Sequence, residues 1–308
     1  MFDIMGDFTF SKSFNMLETQ QWHHFVLQNQ NARKLLGPLA ATPWLLHLGL
    51  TLLPRVLWVK DWYDSVKWCQ AQMTERLQRG SDPEVPDLTS FLMKDNEGNQ
   101  SDPWLRGDSL LAILAGSEPT AQILTAMIHE LSIHPEHIKT IRQELAGVNM
   151  TNHKELAELP HLNGAIQEAM RLHPNLLTGG SRKTTHNGVT IGGAYIPPDT
   201  TIVSPHYTIA RREDCFKEPD KFVPEQWGSR QDMVLNPTAH IPFSTGEYNC
   251  VGQQLAWRIM RYTMARVIRR YDFHLAPGCD GSSMERDKVD RFTAFPGCVP
   301  LQFEIIDV

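Results

Sequence analysis

Apolar residues recur through the middle of the chain at the three- and four-residue steps of an amphipathic helix. From Asp108 to Leu145, Leu110, Leu111 and Leu114 are followed by Leu124, Met127, Ile128 and Leu131, which predicts one long helix crossing a core. Gly116 and Pro119 fall within one turn of it. Glycine lowers helix propensity and proline removes a backbone donor, so a kink is expected there. A second helix is predicted from about Leu162 to Leu172, stopped by Pro174, because the residue before a proline is biased away from helical dihedrals. The period then shortens. From Thr184 to Ser204, Val189-Thr190-Ile191, Tyr195-Ile196 and Thr201-Ile202-Val203 alternate with Asn187-Gly188, Gly192-Gly193 and Pro197-Pro198-Asp199, a pattern of short strands and tight turns. Asp214 to Asn236 has no sustained period and reads as an ordered meander. A third helix is expected from Gln253 to Tyr271, with a strand-like segment from Val299 to Ile306. The pattern is mainly α with a small β region.

One apolar stretch, Pro43 to Val59, is interrupted by His47, Pro54 and Arg55 and falls short of the roughly 20 residues a spanning helix needs. Burial in a helical core is its first reading. Shallow contact with a membrane surface is the second, because Trp and Leu beside Arg55 and Lys60 suit an interface.

The 308 residues are 41% hydrophobic and 21% charged, a globular composition, and the net charge of −6 with no basic block gives no reason to expect a nucleic-acid partner. Five scattered cysteines without a CxxC pair look like reduced intracellular thiols. The start, Met1 to Asp7, lacks a charged region followed by an apolar core, so secretion has no support.

One cysteine stands apart. Cys250 lies between Gly246 and Gly252, directly ahead of the third helix. Helix N-terminal amides favour the thiolate, the form that ligates a metal, and flanking glycines let the backbone approach a flat cofactor. By contrast, His23 and His24, and the set His129, His134 and His137, lack the i, i+4 step that aims two imidazoles at one metal from one helix face; ordinary surface or core roles are expected for them. No GxSxG, phosphate-loop or dinucleotide fingerprint is present.

The companions of Cys250 point to a family. Glu168-Ala169-Met170-Arg171 sets acid and guanidinium at i and i+3; Phe222 to Trp227 reads FVPEQW; Phe243, Gly246, Cys250 and Gly252 then follow the order FxxGxxxCxG. This succession resembles the C-terminal half of a cytochrome P450, a haem-thiolate monooxygenase. Upstream, Ala115 to Thr120 is similar to the family's oxygen-binding helix signature, Arg182 lies where the family commonly has an arginine meeting a haem propionate, and Phe2 to Phe10 is similar to a mid-chain helix of fungal members of secondary metabolism.

The resemblance implies a single P450-like domain over residues 1–308 that begins in the middle of the family's fold, its N-terminal part missing. It implies haem as cofactor, Cys250 as axial iron ligand, and Arg182, Phe243, Gly246, Tyr248 and Gly252 as haem-binding residues, with Glu118 and Thr120 as catalytic residues. It further implies an NADPH-dependent flavoprotein reductase as electron donor, an apolar small-molecule substrate and an endoplasmic-reticulum membrane setting. Three positions depart from the family's pattern. Tyr248 and Gln226 replace arginines, and Pro119 replaces the alcohol beside the acid, for which Thr120 is the substitute. These departures keep two alternatives in view: an isomerase or dehydratase that does not activate oxygen, and a non-catalytic short form.

Overall fold

The computed structural model describes residues 1–39, 42–79, 84–95 and 103–306. They form two compact units, Met1–Ala121 with Asp290–Phe292, and Gln122–Val289 with Thr293–Val308.

The helices of eight residues or more are α1 (Phe2–Phe10), α2 (His24–Ala32), α3 (Pro43–Leu52), α4 (Leu57–Gln78), α5 (Leu88–Asp95), α6 (Pro103–Ile133), α7 (Pro135–Glu144), α8 (Pro160–Leu172) and α9 (Gln253–Arg270). Helix α6 continues without a break through Pro119. Its length and apolar composition would let it cross a membrane, yet Leu105, Ile113, Ile123, Met127 and Leu131 are buried, as in a core helix. In the first unit α1 packs close on α6 at Gly116, where an added Cβ would lie 2.4 Å from Met5 Cε. The predicted helix from Asp108 to Leu145 is in fact two. Pro135 lacks the N–H that would continue α6, His134 ahead of it is non-helical at φ −127° and ψ 66°, and α7 restarts with Pro135 in its first turn.

The reading of Pro43 to Val59 as buried core holds at Val59 but not across α3. No residue of α3 is buried, and Trp44, Leu52 and Leu57 are 68%, 66% and 76% exposed. An apolar segment fills a core only where other elements cover it, and composition does not carry that information.

In the second unit α8 starts with Pro160 in its first turn, and the Glu144 carboxylate accepts from the His161 and Leu162 amides at 2.8 and 3.0 Å. Its apolar face is wholly buried at Leu162, Ala165, Ile166 and Ala169. Gly164 is required, since a Cβ there would lie 2.5 Å from the Pro224 carbonyl oxygen of the meander. The β region is four short strands, β1 (Arg182–Lys183), β2 (Val189–Ile191), β3 (Ala194–Ile196) and β4 (Thr201–Ile202), paired antiparallel as β1 with β4 and β2 with β3. Gly192 and Gly193, at φ +56° and +83°, form the two-residue turn between β2 and β3. Strand β5 (Tyr271–Leu275) leaves α9 directly; β6 (Val289–Arg291) and β7 (Thr293–Phe295) follow, and β8 (Leu301–Ile305) pairs antiparallel with β5, Tyr271 opposite Ile305. Arg142 closes the C-terminal end of α9, donating to the Ile268 and Tyr271 carbonyls at 2.9 and 2.7 Å.

Candidate functional site

The loop ahead of α9 is shaped by backbone bonds. The Cys250 amide donates to the Phe243 carbonyl at 2.8 Å, and the Asn249 amide to that of Gly246 at 3.2 Å, so residues 243–250 close into a compact turn. Gly246 sits at φ +81°, where a side chain would strain the backbone, and Gly252 is the N-cap of α9. Cys250 is a free, exposed thiol at this helix start, while Tyr248 and Val251 stand in solvent. Phe243 packs against Trp257 at 6.4 Å between ring centroids, and both line a pocket of about 230 Å³ with Gln167, His240 and Gln253. Burial pushes the His240 imidazole down to about 3, the nearby Arg171 charge adding to the effect. From β1, Arg182 reaches the same loop, its Nη2 lying 3.4 Å from Ser244 Oγ.

Beside this loop, α8 carries a buried charge network. Arg171 donates to both oxygens of Glu168, Nε to Oε2 at 2.9 Å and Nη2 to Oε1 at 2.7 Å, and also to the carbonyls of Ala210, Pro219 and Lys221. The Glu168 carboxylate further accepts from the Val223 amide at 2.9 Å, Gln226 Nε2 at 2.5 Å and Trp227 Nε1 at 2.9 Å. Both charged side chains are wholly buried. The network therefore balances one guanidinium against one carboxylate, and neutral donors satisfy the other lone pairs.

The remaining candidates belong to the first unit. Glu118 and Thr120 are both buried on α6, and Glu118 forms a two-pronged ion pair with Arg33, just beyond α2. Burial lowers the Arg33 pKa to about 10, with the charge of Arg291 contributing, so it remains cationic at neutral pH. Arg33 was not a sequence candidate, because it lies far from Glu118 in the chain and has no motif of its own. Trp227 ends a motif that was recognised, but its indole N–H was not given a partner.

The second unit thus brings together Arg182, Phe243, Gly246, Tyr248, Cys250 and Gly252, with the cysteine thiol ahead of a helix. A Cβ at Gly246 would meet nothing within 4 Å, and one at Gly252 would meet only the Cys250 sulfur at 3.9 Å. The backbone around the thiol is open to a flat partner, and Arg182 supplies a cation at Ser244 of the same loop. The residues present fit a haem.

A sequence model of the cytochrome P450 family matches residues 1–293. The chain belongs to that family, whose fold and cofactor, haem, it shares. It is 33% identical to the cytochrome P450 monooxygenase notG′ of Aspergillus versicolor over 95% of this chain and 54% of that protein. It is 34% identical to the tryprostatin B 6-hydroxylase of Aspergillus fumigatus, over 91% and 51% respectively. Among solved structures, retinoic acid-bound cyanobacterial CYP120A1 shares the fold with a TM-score of 0.77 at 21% identity, covering 99% of this chain and 67% of that one. The chain spans about half the length of the curated relatives it matches.

Proposed function

We propose that this chain provides the haem-thiolate part of a monooxygenase that inserts one oxygen atom from O2 into an apolar small molecule in fungal secondary metabolism. The observation that carries the reading is the Cys250 turn, closed by the hydrogen bond from the Cys250 amide to the Phe243 carbonyl and opening onto the start of α9. In this reading Cys250 would supply the thiolate to the iron, Gly246 and Gly252 would let the backbone approach the ring, and Arg182 would pair with a propionate. Tyr248 would offer a neutral hydrogen bond where the family has a charged one. When bound, haem supplies reductive activation of dioxygen, with electron donation from the thiolate favouring O–O cleavage. Glu118, oriented by Arg33, and Thr120, with the hydroxyl that Pro119 lacks, are the proton-handling groups.

Electrons come, on this reading, from a separate NADPH-dependent flavoprotein reductase. The exposed Trp44, Leu52 and Leu57 support shallow contact of residues 43–59 with the endoplasmic-reticulum surface. The family match runs through residues of both units, and we read the whole chain as one catalytic domain.

Purification with haem supplied, followed by reduction and CO addition, tests the ligand. The expected result is a red-shifted Soret band that Cys250→Ser abolishes. A chain that binds no haem, or whose CO form is unshifted, refutes it. Product formation that needs neither NADPH nor O2 would move the assignment to an isomerase or dehydratase.

A further inference from the structure

Three side chains from separate elements of the second unit converge where α8 meets the meander. They are His137 of α7, His161 in the first turn of α8, and Glu225 in the 3-10 turn Pro224–Trp227. His137 Nδ1 lies 2.9 Å from His161 Nε2, and Glu225 Oε1 lies 3.6 Å from His137 Nδ1 and 4.0 Å from His161 Nδ1. One ligand-type atom from each residue falls within 4.8 Å of the other two. Each imidazole side chain is 10% exposed and that of Glu225 is 31%, so the carboxylate leaves an entry for ions from solvent.

Two imidazole nitrogens at 2.9 Å must share a hydrogen, one donating and one accepting. A divalent cation can take that hydrogen's place and use both lone pairs. Zinc–nitrogen bonds of 2.0–2.1 Å in a tetrahedron place ligand atoms roughly 3.3 Å apart. The two imidazoles would part by a few tenths of an ångström to reach it, Glu225 Oε1 would close on His137 Nδ1 by about as much, and the His161 ring would turn to bring Nε2 toward the carboxylate in place of the Nδ1 that now lies 4.0 Å from it. Two imidazoles and one carboxylate, with water in the fourth position, suit zinc better than calcium or magnesium, which take oxygen ligands. The donors are also held in place. Glu144 fixes the turn that carries His161 through its amide at 2.8 Å, and Phe222 packs edge-on to His137 at 5.6 Å.

We propose that His137, His161 and Glu225 form a zinc-type metal site that clamps the meander to α8. The clamp lies next in sequence to Gln226, the neutral residue that holds the meander to Glu168. Among the described residues, the other grouping of this kind, His129, Glu130 and His173, lacks such an opening: all three are buried, and His173 is already shared between Glu130 and Glu285.

The test is calorimetric titration of the chelator-stripped full chain with ZnCl2, alongside His161→Ala, Glu225→Gln, His134→Ala and Cys250→Ser. The expected result is one zinc per wild-type chain, with affinity weakened about tenfold or more in His161→Ala and Glu225→Gln. Binding should persist in His134→Ala, outside the donor set, and in Cys250→Ser, which separates the site from the exposed thiol. Zinc should raise the melting temperature of wild type and not of His161→Ala. Glu225→Gln keeps side-chain size, so loss of binding with an unchanged circular dichroism spectrum is not misfolding. No binding by wild type, wild-type affinity in both ligand variants, or loss of binding in Cys250→Ser overturns the proposal.

Discussion

Replacing Glu168 with glutamine removes one negative charge at nearly constant volume, which isolates the electrostatic part of the α8 network. The Arg171 guanidinium, wholly buried, keeps its bonds to the Ala210, Pro219 and Lys221 carbonyls but loses its counter-charge. The new amide must also turn its NH2 toward donors that now bond the carboxylate: the Val223 amide if it takes the place of Oε1, or Gln226 Nε2 and Trp227 Nε1 if it takes that of Oε2. Breaking one side of a buried ion pair costs about 3–5 kcal/mol. For a unit in the 150–250-residue class, at roughly 2–4 °C per kcal/mol, Glu168→Gln should lower the melting temperature by about 6–20 °C. The assay is denaturant and thermal unfolding of wild type, Glu168→Gln and the double replacement Glu168→Leu with Arg171→Met. The double variant should recover much of the loss, because it buries no charge. A loss below about 1 kcal/mol in the single variant, or a double variant less stable than the single, refutes the reasoning.

Acid sensitivity is expected at Glu130. Burial opposes its charged form, but the neighbouring His129 imidazole and the hydrogen bond with His173 at 2.6 Å outweigh that and hold its pKa near 2, against 4.5 for the free group. A folded pKa below the unfolded one contributes stability above pH 4.5 that is lost as pH falls toward 2; the contribution is about 3 kcal/mol, and Glu130→Gln should flatten that part of the stability–pH curve. Glu118→Gln should lower product formation about 100-fold or more with the haem spectrum unchanged, and an undiminished turnover number would remove Glu118 from the proton path. Trp44→Ser with Leu57→Ser should reduce co-sedimentation with phospholipid vesicles about tenfold without changing thermal stability, since neither side chain is buried.

Much of the site could be read from sequence because its signals are local. The turn from Phe243 to Gly252 and the pair Glu168 and Arg171 each lie within one short segment, and the neutral Gln226 is found bonded to Glu168 as its position implied. What escaped depends on tertiary contact. Arg33 meets Glu118 from a distant part of the chain, and His137 finds His161 and Glu225 on other elements, where a spacing rule for one helix face has no reach. Pro135 is a different kind of miss. It is local and stands in plain sequence, but the apolar stripe continues on both sides of it, so periodicity alone runs straight through. Residues 43–59 have the composition of a core segment, yet burial reaches only Val59 and leaves α3 uncovered.

The pairing of β5 with β8 bears on how the chain matures during synthesis. β5 is continuous with α9, yet its ladder partner is translated only after β6 and β7. At the usual 5–20 residues per second the ribosome needs some seconds to cover that stretch. The cysteine turn and its helix therefore emerge before the strand that secures the helix's far end, and assembly of α9 should finish after translation of β8.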